Sequence, residues 1–278
     1  MKNQAKSLKK TTDKLMLKPI DRQGKNKGWW EALPMTYEEW DSKERIPKTR
    51  EDFLNVEKKF LDGNPYIRDK FDFGLFKNKK VLEIGCGSGA ASCLFAKAGA
   101  KVTCVDITEQ AIKITMLNAQ MQKVSLNAIK MDAENLKFRN GEFDYVFSWG
   151  VLHHSQNTLN AFKEVSRVLK TGGEGLIMVY NKNSLRYYIN GLNWLLIRGK
   201  IFKGYNLESV QDFYTDGYYH RHFTPNELKR ELEKLGLKCT SVFTTHMGTR
   251  FAPFLPKKFE DWLKNHYGWL LVAKFKKD

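Results

Sequence analysis

The residues best suited to chemistry follow a short apolar run that starts at Val81. Three glycines, Gly85, Gly87 and Gly89, come directly after that run, and a second apolar run ends at Asp106. Glycine lacks a Cβ atom and takes positive φ, so a glycine loop lets backbone N–H groups approach a ligand closely. A carboxylate at the end of the second run can accept both hydroxyls of a ribose. Strand, glycine loop, helix, strand and terminal acid are the layout of a nucleoside-cofactor site at the open edge of a parallel sheet.

The glycines alone leave two cofactor classes open, because Gly85-x-Gly87-x-x-Ala90 also matches the dinucleotide fingerprint. Glu83 favours the other class, since a carboxylate at the mouth of the loop repels a pyrophosphate and attracts the ammonium of a methionine moiety. The run VLEIGCGSG therefore resembles motif I of the class I S-adenosylmethionine-dependent methyltransferases. The cofactor-binding residues that this resemblance implies are Glu83 for the ammonium, Asp106 for the ribose, and Gly85, Cys86, Gly87, Gly89 and Ile107 around them.

Three later blocks extend the resemblance over about 100 residues. Residues 131–134 resemble the adenine-contacting turn of the family, which implies cofactor contacts for Asp132 and Ala133. Residues 143–154 resemble the fourth strand and its following loop, in the form shared by quinone, sterol and small-molecule methyltransferases. Residues 164–180 resemble the helix, Gly-Gly turn and fifth strand that close the core. The block at 143–154 adds Ser148, Trp149 and Gly150 to the implied cofactor site.

His153 and His154 are the candidate catalytic residues. Methyl transfer from a sulfonium mainly requires that donor and acceptor be brought together in a dry site, and a hydroxyl acceptor benefits from a base. The loop after the fourth strand faces the methyl group in the resembled fold, and an imidazole titrates near neutrality. Either histidine can instead pack or bond backbone beside the cofactor, and for His153 that interpretation is favoured. No carboxylate set around this loop suits Mg²⁺, so no metal is expected.

Aromatic and basic residues outside the core are candidates for binding the acceptor. Rings interleaved with guanidinium groups can hold a planar or anionic molecule by stacking and bidentate hydrogen bonds. The same aromatics can equally form the core of an insertion. The dense aromatic surface of residues 29–40 either caps the cofactor cleft or packs outside the sheet. The residues selected are Trp30, Tyr187, Tyr188, Tyr219, Arg221 and Arg250.

Composition predicts one large domain with extensions. The chain has 278 residues, 42% of them hydrophobic, and a formal net charge of +16. That charge suits nucleic acid or an anionic membrane surface, although spread-out lysines also arise without a polyanionic partner. We expect a basic, partly disordered N-terminus at 1–27, a cap at 28–75 and the main domain at 76–278, with a substrate-side insertion at about 182–223. Without a signal sequence, membrane span or paired cysteines, a reduced cytoplasmic protein is expected. The oligomeric state stays open.

Alternating single apolar runs predict a parallel sheet covered on both faces, so the expected fold is a Rossmann-like, doubly wound α/β sandwich of seven strands. The expected function is S-adenosylmethionine-dependent methylation of a small-molecule acceptor. Three alternatives stay open: an RNA methyltransferase that uses the basic N-terminus, an NAD-dependent oxidoreductase, and a non-catalytic binding protein. The extension and insertion resemble those of uncharacterised bacterial methyltransferases.

Overall fold

The computed structural model describes residues 21–32, 46–246 and 254–278. Its strands are β1 (Lys80–Ile84), β2 (Lys101–Asp106), β3 (Asn127–Lys130), β4 (Phe143–Trp149), β5 (Leu169–Asn181), β6 (His222–Phe223), β7 (Leu237–Thr245) and β8 (Leu270–Lys277). Its helices are α1 (Arg22–Ala32), α2 (Arg50–Gly63), α3 (Pro65–Lys70), α4 (Ala90–Lys97), α5 (Glu109–Gln122), α6 (Thr158–Val168), α7 (Leu185–Leu192), α8 (Pro225–Glu233) and α9 (Lys257–Tyr267).

Seven strands form the main path of one sheet, in the order β3-β2-β1-β4-β5-β8-β7. The first five are parallel, and β8 inserts antiparallel between β5 and β7. The two-residue strand β6 pairs with the carboxyl end of β5. The predicted Rossmann-like sheet of seven strands is thus confirmed.

Helices cover both faces of this sheet. Phe60 of α2, Ile67 of α3 and Phe95 of α4 belong to the core on one face, and Phe162 of α6 and Leu228 of α8 to the core on the other. The strands between them are apolar on both sides, as in β1, where Val81 faces the first core and Leu82 the second. Two-sided cover of this kind is what near-continuous apolar runs predict for a parallel sheet.

Local sequence signals fix the ends of several helices. Thr224 accepts a hydrogen bond from the Glu227 backbone N–H at the start of α8, with Pro225 in the first turn, as the Thr-Pro-Asn-Glu sequence predicts. Thr108 caps α5 in the same way, through the N–H of Ala111. Because only Ile107 and Thr108 separate β2 from α5, this cap also fixes the loop that follows Asp106.

Helix α1 crosses position 27/28, where composition predicts the end of the basic N-terminus. The insertion predicted at about 182–223 contains α7, three single turns at 193–197, 200–203 and 209–213, and β6. The described residues leave out 1–20, 33–45 and 247–253. Most of the aromatic surface at 29–40 and Arg250 fall in these ranges. Across the described part of the chain, no helix is both long enough and apolar enough to cross a bilayer.

Candidate active site

A cavity of about 550 Å³ opens at the carboxyl ends of the parallel strands. One half is lined by the glycine loop after β1, the end of β2, the turn after β3 and the loop after β4. The other half is lined by α1, α2, the end of β5, the start of α7 and the start of β8. Ligands of open α/β sheets bind in this position, because loops diverge from the sheet there.

The glycine loop is shaped as a cradle. Gly85, Gly87 and Gly89 all take positive φ, and a Cβ atom on Gly85 would lie 2.1 Å from Cγ2 of Val151 in the loop after β4. Gly85, Cys86 and Gly87 line the cavity. Gly89 lies behind the loop, where it precedes α4 and packs against Thr115 of α5. The loop therefore presents backbone rather than side chains to a ligand.

Glu83 is the buried acid of this half of the cavity. Its side chain lines the cavity, is only 4% exposed and accepts a hydrogen bond from the Ser92 hydroxyl. Burial, with a smaller contribution from the negative charge of Asp106, raises the pKa of Glu83 to about 8, although the Ser92 hydrogen bond opposes the shift. A cation bound beside Glu83 would stabilise the carboxylate that burial disfavours.

Asp106 is held by the backbone around it. Its Oδ2 accepts the Gly87 N–H at 3.1 Å, and its Oδ1 accepts the N–H and hydroxyl of Thr108 at 3.0 and 2.8 Å. Asp106, Ile107 and Thr108 all line the cavity. Burial raises the pKa of Asp106, while the hydrogen bonds from Thr108 and Gly87 act in the opposite direction. The carboxylate is thereby oriented at the end of β2, with lone pairs left for further donors.

The remaining predicted cofactor residues divide between the cavity wall and its support. Ala133, Trp149 and Gly150 line the cavity. Asp132 does not, because its Oδ1 accepts hydrogen bonds from Gln23 of α1 at 2.8 Å and from the Glu134 N–H at 2.9 Å. Ser148 is fully buried and donates to the Ile84 carbonyl at 3.1 Å, which ties β4 to β1.

His154 lines the cavity, whereas His153 does not. The Nδ1 atom of His154 lies 2.9 Å from the Tyr219 carbonyl. Because a carbonyl only accepts, Nδ1 carries the proton, and in the neutral ring Nε2 carries the lone pair. Trp30 packs edge-on against this ring at 5.2 Å between centroids and also lines the cavity.

His153 is fully buried, with its ring 4.0 Å from that of Tyr180. Burial, together with the positive charge of neighbouring histidines, lowers its pKa well below the usual range, so the ring is neutral. This placement matches the packing interpretation of His153 rather than the catalytic one.

Asn26 of α1 joins the His154 loop to the segment at 217–219. Its amide nitrogen donates to the carbonyls of His154 and Tyr219, and its amide oxygen accepts the N–H groups of Tyr218 and Tyr219 at 2.7 and 2.9 Å. Gly217 lies directly against the His154 ring, and a Cβ atom at this position would clash with it, 2.6 Å from Nδ1. The position of His154 therefore depends on a helix that lies more than 120 residues earlier in the chain.

Five of the predicted acceptor residues do not lie on the cavity wall of the described chain, and one of these, Arg250, is outside the described residues. Tyr187 is buried within the insertion, and Tyr188 is 43% exposed. Arg221 pairs with Glu227 of α8 at 2.6 Å. Tyr219 contributes its carbonyl to His154, but its ring lies under the Arg22 guanidinium and lines a separate hollow.

The half of the cavity opposite the glycine loop, which we call the acceptor half, is built mostly from residues that the sequence analysis did not select. Arg186 of α7 lines it, with its guanidinium 4.6 Å from the ring centre of Trp269 and bonded to the Tyr214 carbonyl at 3.1 Å. The rings of Tyr180 and Trp269 pack at a tilt of 32°, with centroids 4.6 Å apart, where β5 ends and β8 begins. The apolar run of the last strand could have indicated Trp269, because a strand antiparallel to β5 begins beside the residues where β5 ends. The other lining residues of this half include Gln23, Lys59, Asn64, Met178, Tyr214 and Asp216.

Comparisons with known proteins agree with this architecture. Residues 82–177 match the family model described as a methyltransferase domain. The chain is similar to the ubiquinone biosynthesis O-methyltransferase of Coxiella burnetii, with 28% identity over 61% of this chain and 68% of that protein. It is also 28% identical to the enzyme of the same name from Aeromonas salmonicida, over 68% of this chain and 72% of that protein.

Solved structures show the same fold at low sequence identity. A methyltransferase structure from Listeria monocytogenes superposes with a TM-score of 0.56 and 19% identity, over 79% of this chain and 98% of that chain. A sarcosine dimethylglycine methyltransferase structure from Galdieria sulphuraria superposes with a TM-score of 0.55 and 15% identity, over 84% and 94%.

The methyltransferase domain model, the similar O-methyltransferases and the shared fold together support a class I S-adenosylmethionine-dependent methyltransferase. The protein is an enzyme that uses S-adenosylmethionine to methylate a small molecule. The cavity suits this donor in two observable respects: the backbone cradle at Gly85 excludes a side chain, and a buried carboxyl at Glu83 stands where a cation can neutralise it.

Proposed function

We propose that the enzyme transfers a methyl group to a hydroxyl oxygen of a small aromatic acceptor that also carries an anionic group. The observation that carries this proposal is the fixed tautomer of His154. Its Nδ1–H is held on the Tyr219 carbonyl, which leaves Nε2 as the basic atom of a ring in the cavity wall. A hydroxyl acceptor is the class that gains from a base at this place.

The donor half of the cavity holds S-adenosylmethionine through Glu83, Gly85, Gly87 and Asp106. When bound, this cofactor supplies a methyl group on a positively charged sulfonium, so the leaving group needs no further activation. Glu83 receives the ammonium and Asp106 the ribose hydroxyls, while Ala133 and Ile107 border the adenine. The protein then has to bring the acceptor oxygen in line and exclude water.

The acceptor half favours a planar molecule. Trp149, Tyr180 and Trp269 supply aromatic wall, and Met178 adds a polarisable side chain between the strand ends. Trp149 is itself held, because its indole N–H donates to the Asn64 side chain at 2.9 Å. The similar proteins from Coxiella burnetii and Aeromonas salmonicida are also O-methyltransferases.

Arg186 supplies the charge in this half. Its guanidinium lies over Trp269 and keeps donors beyond the one that the Tyr214 carbonyl uses. Asp216 lines the same half of the cavity. An acceptor with both an anionic group and a hydroxyl meets two side chains of this cavity, because the anion pairs with Arg186 and the hydroxyl donates to Nε2 of His154.

The test compares His154→Gln and His154→Ala with the wild-type enzyme. Methyl-labelled S-adenosylmethionine is incubated with a panel of hydroxyaryl carboxylates, and the position of the label is read by mass spectrometry. We expect an ether product, turnover lowered by about 10²-fold in both variants, and S-adenosylhomocysteine affinity within about threefold of wild type. Label on nitrogen or carbon would refute the O-methyl assignment. Near-normal turnover in the Gln variant would reduce His154 to a positioning residue.

A further inference from the structure

An apolar surface stands exposed on the insertion that follows β5. We call it the insertion patch and define it as Tyr188, Ile189, Leu192, Leu196, Ile197, Ile201 and Phe202. Phe202 is 90% exposed and Ile197 is 80% exposed. Single exposed apolar residues are ordinary, but a run of large ones within 15 consecutive residues marks a surface that binds something apolar.

The patch includes the outer face of α7 and of the turn after it. Ile189, Leu192 and Leu196 recur at a spacing of three to four residues, which places them on one face of α7 and the turn after it. The inner face carries Tyr187 and Leu195, which are 2% and 8% exposed. The apolar face of an amphipathic helix normally packs against another surface, so the outer face is the one left for a partner.

Positive charge surrounds this apolar surface. Residues 182–207 contain five basic side chains and no Asp or Glu: Lys182, Arg186, Arg198, Lys200 and Lys203. Two of them are held beside the patch, since the Arg198 guanidinium lies 4.2 Å from the ring centre of Trp194 and the Lys200 ammonium 4.5 Å from that of Phe213. Apolar side chains rimmed by Lys and Arg are the composition of segments that lie in the interface of a bilayer.

We propose that the insertion patch docks the enzyme on an anionic lipid bilayer. Ile189, Ile197 and Phe202 enter the boundary between headgroups and acyl chains, while Arg198, Lys200 and Lys203 contact the anionic headgroups. Charge complementarity selects this occupant, because a second copy would bring a segment of the same sign against the patch, in a chain whose net charge is +16. Nucleic acid suits the cations but gives no burial to aliphatic side chains.

Docking places the cavity at the bilayer surface. Arg186, which lines the cavity, lies on the same helix as Ile189 and Leu192. The exposed face of the insertion would dock in this way whatever the acceptor is and whatever the role of His154.

The experiment is flotation of the full chain with two kinds of vesicle, phosphatidylcholine alone and equal parts of phosphatidylcholine and phosphatidylglycerol. We expect binding to the anionic vesicles that weakens as salt is raised, and binding to the neutral vesicles at least about tenfold weaker. The double variant Ile197→Glu/Phe202→Glu should bind anionic vesicles at least about tenfold more weakly than the wild type.

Leu75→Glu is the control, because Leu75 is 71% exposed in the turn before β1. That turn lies at the amino ends of the parallel strands, whereas the patch follows the carboxyl end of β5. It should leave vesicle binding unchanged. S-adenosylhomocysteine affinity and thermal unfolding should be the same in all three proteins, which shows that the fold is intact. A chain with residues 1–18 deleted separates the basic N-terminus from the patch.

Absence of binding to anionic vesicles overturns the proposal, as does equal loss in the Leu75→Glu control. Loss of binding on deletion of residues 1–18, with the patch variant unaffected, assigns the membrane contact to the N-terminus instead. A dimer in analytical ultracentrifugation that the patch variant abolishes, without vesicle binding, assigns the patch to a second copy.

Discussion

Replacing Glu83 by glutamine separates the charge of this buried carboxyl from its shape. Burial raises the pKa of Glu83 to about 8, so roughly one molecule in eleven of the free enzyme carries the carboxylate at pH 7. If the ligand ammonium binds only the ionised form, the apparent dissociation constant is multiplied by 1 + 10^(8 − pH), which is about 100 at pH 6 and about 2 at pH 8. We therefore expect S-adenosylhomocysteine to bind about 50-fold more tightly at pH 8 than at pH 6.

Titration calorimetry in two buffers with different heats of ionisation measures this effect directly. At pH 7 the wild-type enzyme should release about 0.9 proton for each ligand bound. Glu83→Gln should bind more weakly at pH 8, with no proton release and a flat affinity over the same range. The glutamine variant also corrects for any titration of the ligand. A wild-type affinity that does not change with pH, or the same slope in both proteins, would refute the assignment of Glu83 to the ammonium.

The same substitution should stabilise the free enzyme. Burial raises the pKa of Glu83 from 4.5, the value of an exposed glutamate, to about 8. Between these values the native state keeps a proton that the unfolded chain loses, so wild-type stability falls as pH rises from 4.5 to 8. At about 1.4 kcal/mol per pH unit, Glu83→Gln should gain about 3 kcal/mol at pH 7 and less than about 1 kcal/mol at pH 5. Denaturant unfolding at the two pH values checks the sign.

Three further substitutions test the cradle, the ribose acid and the support of His154. Asp106→Ala should weaken S-adenosylhomocysteine binding by more than about tenfold, since each charge-assisted hydrogen bond contributes about 1.5–3 kcal/mol; calorimetry that finds no loss would contradict the ribose assignment. Gly85→Ala should lower the free energy of unfolding by about 1–3 kcal/mol because residue 85 has a positive φ. The double variant Gly85→Ala/Val151→Ala should recover only part of this loss, because a Cβ atom on residue 85 would still lie 2.7 Å from the Cβ atom of residue 151. Gly217→Ala should lower turnover as His154→Ala does, with donor affinity within about threefold; steady-state kinetics beside calorimetry would show whether the two losses separate.

The donor half of the cavity could be predicted because its residues are close in sequence. Glu83, Gly85 and Asp106 lie within one strand, loop, helix and strand unit, so the spacing along the chain already fixes which end of the sheet they share. The adenine contact expected of Asp132 stays a prediction. A turn specifies where its backbone goes, but the side-chain partner of the Asp132 carboxylate is Gln23, more than 100 residues earlier.

The acceptor half could not be predicted in the same way, because its residues meet only after the sheet is assembled. Tyr187 and Tyr188 were selected for their ring chemistry, whereas the face of α7 that turns inward is decided by packing against Gln211 and His222. Arg186, one residue earlier, points to the cavity instead. A rotation of about 100° per residue separates these outcomes. The sequence of α7 does not show which face is inner, because its apolar residues Ile189 and Leu192 face outward.

The two halves also differ in which part of the chain controls them. The donor contacts lie within or beside residues 82–177, the stretch that matches the methyltransferase domain model. His154 lies in that stretch too, but its ring is oriented by Tyr219 of the insertion, and its loop is bonded by Asn26 of α1. Arg186 and Trp269 lie beyond the stretch altogether. With the roles proposed above, changes in α1 or in the insertion would move the base and reshape the acceptor wall while Glu83, Gly85 and Asp106 keep the donor in place. A single fold can in this way retain one methyl donor and accept different small molecules.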